Sequence, residues 1–345
     1  KKVQLFTDLP THSQVGWRVE VEGDVQGDTS SSSYWVEFVP QSPGVSSGWA
    51  DGYWREASAP GLPVGLDPDT MPMALIRQAN GEWRITPLDG HSYVVSSVTY
   101  TVPTWDARAA GDNDTNPSPK FVGKNILGMC FHQGRLGLLS EETLSMSETR
   151  EPFSFFRTSV LDLIPSDRFE VSAATPRGER LQFATPVSDS ILLFSEGTQF
   201  LVRAETWAPD QVRVETVGRY GIDPQVEPIQ VRDAVMAATP RGEYSALLEL
   251  RIAGDARASL ASADLSASIP AFLPQPSQLI HGPQTDYVMM RSGDLVDVLT
   301  TAWNGDQRVL NAWQTWDWDV SLTAIRWCWV WDTDFWMLAT VGGES

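Results

Sequence analysis

The chain has 345 residues, 42 % of them hydrophobic and 20 % charged, which supports a sizeable buried core and argues against wholesale disorder. Acidic residues outnumber basic ones 44 to 25, a formal net charge of −19, which is the wrong balance for a protein that grips nucleic acid by its phosphates. Fifteen Trp, 26 Gly and 23 Pro leave little room for long helices and point to short strands joined by many turns.

Residues Trp17, Val19 and Val21 alternate with Arg18, Glu20 and Glu22, the period-two pattern of a half-buried strand. A small polar tip, Thr29 to Ser33, precedes a second strand over Tyr34–Val39, and Tyr53–Glu56 reads as its hairpin partner across a Pro/Gly/Ser loop. Four prolines between Pro60 and Pro72 make residues 58–72 an extended connector. Asn80-Gly81 is a strong turn signal between Ala74–Arg77 and Trp83–Ile85. Residues 106–119 are polar and rich in Gly, Asp, Asn and Pro, a loop that divides the chain into a β-rich module over 1–104 and a second unit over 105–345.

Beyond that loop, short β segments follow at Asn125–Phe131, Arg135–Leu139, Thr143–Ser147, Ser190–Ser195 and Gln199–Arg203. A meander closes the chain over Tyr287–Arg291, Leu295–Ala302, Val309–Trp316, Ala324–Trp331 and Phe335–Val341, with Asn304-Gly305 joining two of its strands. The heptapeptide Ala-Ala-Thr-Pro-Arg-Gly-Glu occurs at 173–179 and again at 237–243, an offset of 64 residues. That exceeds the ~40–50 residues of an ordinary blade, so the expected fold is all-β with an irregular propeller-like body.

Candidate chemistry is sparse. Asp112, Asn113 and Asp114 offer oxygen ligands to a hard cation, but the spacing of a calcium loop is missing, and a turn bonding its own backbone is the simpler reading. Glu141-Glu142 and the carboxylates between Asp162 and Asp167 have no fixed separation for acid/base work. His12, His91, His132 and His281 show no metal-ligand spacing, and no nucleophile elbow, phosphate loop or dinucleotide fingerprint occurs. Cys130 and Cys328 lie in apolar surroundings and read as buried free thiols. The Trp-rich stretch from Trp313 to Trp336 suits a core or subunit interface, with sugar stacking as the rival. No catalytic residue, metal or cofactor is expected. No apolar run approaches the ~20 residues needed to span a bilayer. Opening at Lys1 without Met or a signal peptide, and closing on Gly342-Gly343-Glu344-Ser345, the sequence reads as a segment of a longer protein.

The most specific stretch runs from Trp105 to Phe156. It places Trp105, Arg108, Asp112, Asn116, Pro117, Phe121, Gly123, Arg135, Leu136, Gly137 and Ser140 in one ordered series ending in Phe153–Phe156. This order resembles the tail tubular protein B, or nozzle, family of short-tailed T7-like bacteriophages. Trp54-Arg55-Glu56 and Thr70-Met71-Pro72 upstream, and Leu192–Phe194, Asp264–Ser266 and Ala312-Trp313 downstream, extend the likeness over nearly the whole chain. Lys120 and Ala267-Ser268 depart from the family pattern.

The resemblance implies a structural virion protein assembled in the host cytoplasm, with no enzymatic activity. It implies a homo-hexameric ring below the portal, contacting a tail adaptor (gatekeeper) ring and tail fibres. Double-stranded DNA would pass through its lumen without specific binding. Within the motif, Asp112, Asn116 and Pro117 are expected to set a sharp loop. Phe121, Phe131, Leu136 and Leu139 are expected in the core, and Arg135 as one partner of a buried ion pair. Two rivals stand beside this reading: a carbohydrate-binding or glycan-cleaving tail component, separable by a reducing-sugar assay, and an intracellular propeller scaffold, separable by gene neighbourhood.

Overall fold

The protein is described from a computed structural model covering residues 2–22, 33–173, 178–254, 258–282, 287–304, 307–318 and 322–341. Apart from two single-turn 3-10 segments, at Phe6–Asp8 and Pro68–Thr70, its regular elements are strands. Five of them, β1 (Lys2–Val3), β2 (His12–Gln14), β3 (Arg18–Val21), β4 (Tyr34–Pro40) and β5 (Trp49–Glu56), form one sheet in the order β1-β3-β4-β5-β2. The alternation read from sequence decides its inner face: Val19, Val21 and Val36 are buried, with Trp17 and Trp54 packed against them. Gly52 sits opposite Pro40, where a Cβ would lie 2.1 Å from the Val39 carbonyl oxygen, so no other residue fits. The tip at Thr29–Ser32 lies outside the described residues.

Two hairpins follow. In the first, β6 (Ala74–Arg77) pairs with β7 (Trp83–Thr86) about Gly81, whose φ of +88° explains the Asn-Gly signal; in the second, β8 (Ser92–Val95) pairs with β9 (Val98–Thr101). The loop over 106–119 then leads into four successive four-stranded antiparallel sheets. The first is β10 (Gly128–His132), β11 (Arg135–Ser140), β12 (Thr143–Met146) and β13 (Phe169–Ser172). The second is β14 (Phe183–Val187), β15 (Ser190–Phe194), β16 (Gln199–Arg203) and β17 (Arg213–Gly218). The third is β18 (Ile229–Val231), β19 (Ala234–Arg241), β20 (Tyr244–Ala253) and β21 (Ser259–Asp264). The fourth is β22 (Gln278–His281), β23 (Tyr287–Ser292), β24 (Leu295–Asn304) and β25 (Gln307–Trp316). A last hairpin pairs β26 (Leu322–Trp331) with β27 (Asp334–Val341).

These sheets stack face to face, as blades do. Strand β15 shows why: Ile191 and Leu193 point back into the core shared with the first sheet, while Leu192 and Phe194 point forward to Val235, Ala237 and Leu250 of the third. Met236 and Ala238 pack with Leu279, Val288 and Met290 of the fourth sheet, and Met289, Val296 and Val298 pack with Ile325 and Cys328 of the last hairpin. Burial on both faces makes these strands continuous apolar runs, which is how the sequence displays them.

Several sequence expectations need correcting. The heptapeptide does not mark a blade period. Sheets begin at Gly128, Phe183, Ile229, Gln278 and Leu322, and none of these intervals is 64 residues. Its second copy is the end of β19 and the turn to β20; its first begins at Ala173, just after β13, and residues 174–177 lie outside the described residues, as does Gly305. Phe131 is 62 % exposed, because the face of β10 that it shares with Met129 is not covered there. Leu136 is only half-buried, whereas Leu138 and Leu139 are fully buried on opposite faces of β11. Leu138→Ala is therefore expected to cost ~2–5 kcal/mol and Leu136→Ala less than ~2 kcal/mol, read from paired urea midpoints; equal losses would refute the difference in burial between the two.

Asp297 on β24 is buried, accepts a 2.6 Å hydrogen bond from the Thr315 hydroxyl at Oδ1, and leaves Oδ2 without a partner. Burial raises its pKa above the ordinary 3.8, the Thr315 bond opposing. A raised acid pKa favours the folded state at low pH, and that contribution is lost as pH climbs through the folded value. Asp297→Asn should thus melt higher than the parent at pH 7, with the gain vanishing as pH falls below 3.8. Thermal scans at pH 7 and pH 3 check this.

Candidate functional site

The motif residues converge where the five-stranded sheet, the two hairpins and the first blade-like sheet meet. Leu66, Met71, Leu88 and Val102 share one core with Trp105, Phe121, Leu138, Phe155 and Phe156. Trp105 meets Phe153 edge-on at 5.5 Å between centroids, and Phe121 meets Phe155 edge-on at 5.2 Å. Such geometry places ring edges on ring faces, the favoured electrostatic arrangement.

The loop over 106–119 bonds largely to itself. Asp112 Oδ1 accepts hydrogen bonds from the Thr115 amide (2.9 Å), the Thr115 hydroxyl (2.9 Å) and the Asp114 amide (3.0 Å). Partial burial opposes the Asp112 charge, but these bonds and the charge of Arg108 hold its carboxyl below the usual range. The oxygen that a cation would take is thereby committed to the turn. Gly111 has φ +76°, and a Cβ there would meet Thr115 Oγ1 and Val160 Cγ1 at 2.6 Å. Arg108 is buried; its guanidinium donates to Asn113 Oδ1 (3.0 Å) and Ser118 Oγ (2.8 Å) and lies 5.1 Å from the Phe156 ring centroid.

Asn116 joins the loop to the segment after Phe156. Fully buried, it donates through Nδ2 to the carbonyls of Ala110 (2.9 Å) and Arg157 (3.0 Å), and Oδ1 accepts the Arg157 amide (2.9 Å). Pro117 is exposed, and its carbonyl accepts from Arg168 at 3.0 Å. Gly123, at φ +77°, ends this stretch in open space.

On β11, Arg135 is almost completely buried. In place of the expected ion pair, its guanidinium donates to four backbone carbonyls: Ser147 (2.6 Å), Asp167 (2.8 Å), Pro165 (3.0 Å) and Trp207 (2.9 Å). Burial lowers its pKa from the ordinary arginine value, with the charges of Glu148 and Asp167 pulling it back up. Gly137 lies where a Cβ would touch Cys130 Sγ and Met146 Sδ at 2.6 Å, so close sheet packing requires glycine. Ser140 is buried at the end of β11. His132 packs edge-on against Trp207 at 4.6 Å, and burial lowers its pKa, a main-chain bond to Asp189 opposing. Burial pushes the Cys130 thiol up to about 12, which keeps it unreactive.

Sequence reasoning placed Glu56 in the Trp54-Arg55-Glu56 stretch without giving it a role, and missed Arg168. Glu56 accepts from the Ser159 hydroxyl (2.6 Å) and the Val160 amide (2.9 Å), tying β5 to the segment behind Asn116. Its signal was available: on β5 it falls in register with the half-buried Trp54. Arg168 pairs with Glu170 at 3.2 Å, both largely buried. Asp112, Asn116, Arg135 and Glu56 each bond main-chain groups, so these side chains fix the path of the backbone.

The family model described as bacteriophage nozzle protein matches residues 1–343. The tail tubular protein gp12 of Escherichia phage T7 is 26 % identical over 284 residues, which is 82 % of this chain and 32 % of that relative. The chain thus spans about a third of the length of the curated relative it matches. With the family model matching residues 1–343 of an all-β stack of blade-like sheets, this chain belongs to the bacteriophage nozzle protein family.

Proposed function

We propose that the protein is a structural subunit of a short phage tail that assembles as a homo-hexameric ring, and that it performs no turnover. The observation that carries this reading is the family match over 1–343. The ring would sit below the portal, against an adaptor ring and beside tail fibres, and would form and gate the channel through which DNA leaves the capsid. Residues 1–104 would be its N-terminal module and 105–345 its propeller-like body.

Physical chemistry supports a conduit. A net charge of −19 repels a phosphate backbone, so DNA passes without the counterion release that makes binding tight. A ring also needs two different complementary faces on each subunit, since head-to-tail contacts close only when the rotation between copies closes. Negative-stain imaging of the purified full-length polypeptide, alone and with its adaptor, tests the reading. Six-fold rings with a central channel are expected, and a persistent monomer in both conditions would overturn the ring.

A further inference from the structure

The five-stranded sheet packs Val19, Val21 and Val36 into its core, and along β5 its other face is open to solvent. Register puts Asp51 of β5 beside His12 of β2, Tyr53 beside Val39 of β4, and Arg55 beside Glu37. Alternation along β5 is strict: Trp49, Asp51, Tyr53 and Arg55 are exposed, and the residues between them are half-buried. Trp49 is 70 % exposed and Tyr53 55 %, four residues and so about 13 Å apart on one strand. The indole is nonetheless held in place. His12 stacks on it at 6.0 Å between centroids and 23°, and donates through Nδ1 to Asp51 Oδ1 at 2.8 Å. Trp54 Nε1 donates to the Pro10 carbonyl at 2.9 Å, which ties the approach to β2 against β5. One face of Trp49 is thereby backed by an imidazole and the other is left open.

We propose that this face binds an uncharged oligosaccharide, with pyranose rings lying on Trp49 and Tyr53. The C–H groups on the flat side of a sugar meet the negative face of an aromatic ring favourably, and Trp49 is fixed before anything binds, so little side-chain freedom is lost. Asp51 and Arg55 flank Tyr53 on the same face, about 7 Å to either side, and offer an acceptor and donors to sugar hydroxyls. Charge separates the candidate occupants. Across the strands of this face Lys2, Arg18 and Arg55 stand against Glu20, Glu37 and Asp51, three of each sign, on a chain whose net charge is −19. Lys2 already pairs with Glu20 at 3.3 Å and Arg18 with Glu37 at 3.4 Å. The face therefore lacks the cationic groove that holds single-stranded nucleic acid over aromatic platforms. A protein partner fits it poorly as well, because Asp51 stands between the two aromatics and interface cores shed charge. A neutral sugar leaves these charges hydrated or bonds them through its hydroxyls. The proposal needs neither the ring nor the channel.

The test is saturation-transfer NMR on the full-length polypeptide, with cellohexaose, maltohexaose and N-acetylchitohexaose as probes at up to ~5 mM, which reaches millimolar affinities. At least one of these neutral chains is expected to bind, and a sulfated heparin hexasaccharide is not. Trp49→Ala and Tyr53→Ala are each expected to weaken binding at least ~10-fold, while Trp49→Tyr, which keeps a ring, retains most of it. Both side chains are largely exposed, so the variants should keep the parent's amide exchange in β4 and β5, which is measured alongside. Failure of all three neutral probes to bind overturns the proposal, as does a preference for the heparin chain. Binding that survives Trp49→Ala together with Tyr53→Ala, or that is lost in Trp331→Ala on the last hairpin, overturns it by placing the sugar elsewhere. Absence of sugar binding with β5 amides protected by the adaptor ring overturns it in favour of a protein interface. A hexamer that fails to form in the imaging experiment leaves these readouts untouched, so the two readings fail separately.

Discussion

Arg135→Met is expected to destabilise the first sheet by about 3–5 kcal/mol, the largest loss of any single change at the motif. Methionine fills much of the arginine stem's volume, so packing is largely kept and the loss reports on hydrogen bonds. Four carbonyls, those of Ser147, Pro165, Asp167 and Trp207, lose a charged donor at once. A buried acceptor left without a partner costs roughly 1–3 kcal/mol, but the variant also escapes the cost of burying a guanidinium. The net therefore falls well short of four full penalties. Arg135→Lys keeps the charge as a compact ammonium with three donors, which cannot span the fork, so an intermediate loss is expected. Amide exchange of β11 and of the Trp207 segment is the suitable measurement, because a chain of stacked sheets need not unfold in one step. A loss below ~1 kcal/mol would mean that these carbonyls find water and that Arg135 does not anchor the junction.

The sequence displayed what depends on neighbours and concealed what depends on distant partners. Val19, Val21, Val36 and Phe38 alternate visibly, and all four are buried. Asn80-Gly81 announced a turn that Gly81 makes at φ +88°. Nothing local announces that β1 runs parallel to β3, or that β2 closes the other edge of the sheet beside β5, since those pairings join segments many residues apart. Phe131 is expected in the core as a residue of the motif. Its burial depends on what covers that face of β10, which β10 itself cannot show. The same limit explains Arg135: an arginine inside an apolar run signals a buried partner, and only the chain's path reveals carbonyls in place of a carboxylate. The ordered series from Trp105 to Phe156 was legible for another reason. It is a set of contacts within one local junction, so its residues occur close together in sequence.

Asn116→Leu is expected to cost about 3–4 kcal/mol and to loosen the loop over 106–119 from the segment at Arg157. Three hydrogen bonds at 2.9–3.0 Å disappear, and two carbonyls and one amide are left in a site where Asn116 itself has no exposure. Leucine has nearly the right shape, so the void term is small and the polar term dominates. Asn116→Asp separates donors from acceptors. The Arg157 amide keeps its acceptor, while an oxygen replaces Nδ2 against the carbonyls of Ala110 and Arg157, where repulsion replaces attraction. If donation by Nδ2 holds the junction, the aspartate variant should lose at least as much as the leucine variant, despite its closer shape. Limited proteolysis between Arg157 and Asp167 should then be faster in both. A mild aspartate variant with unchanged proteolysis would mean that, of the three bonds Asn116 makes, the one to the Arg157 amide carries its contribution. The tie from Glu56 to Ser159 and Val160 would then be the stronger seam between the five-stranded sheet and the first blade, because its two bonds remain intact in either variant.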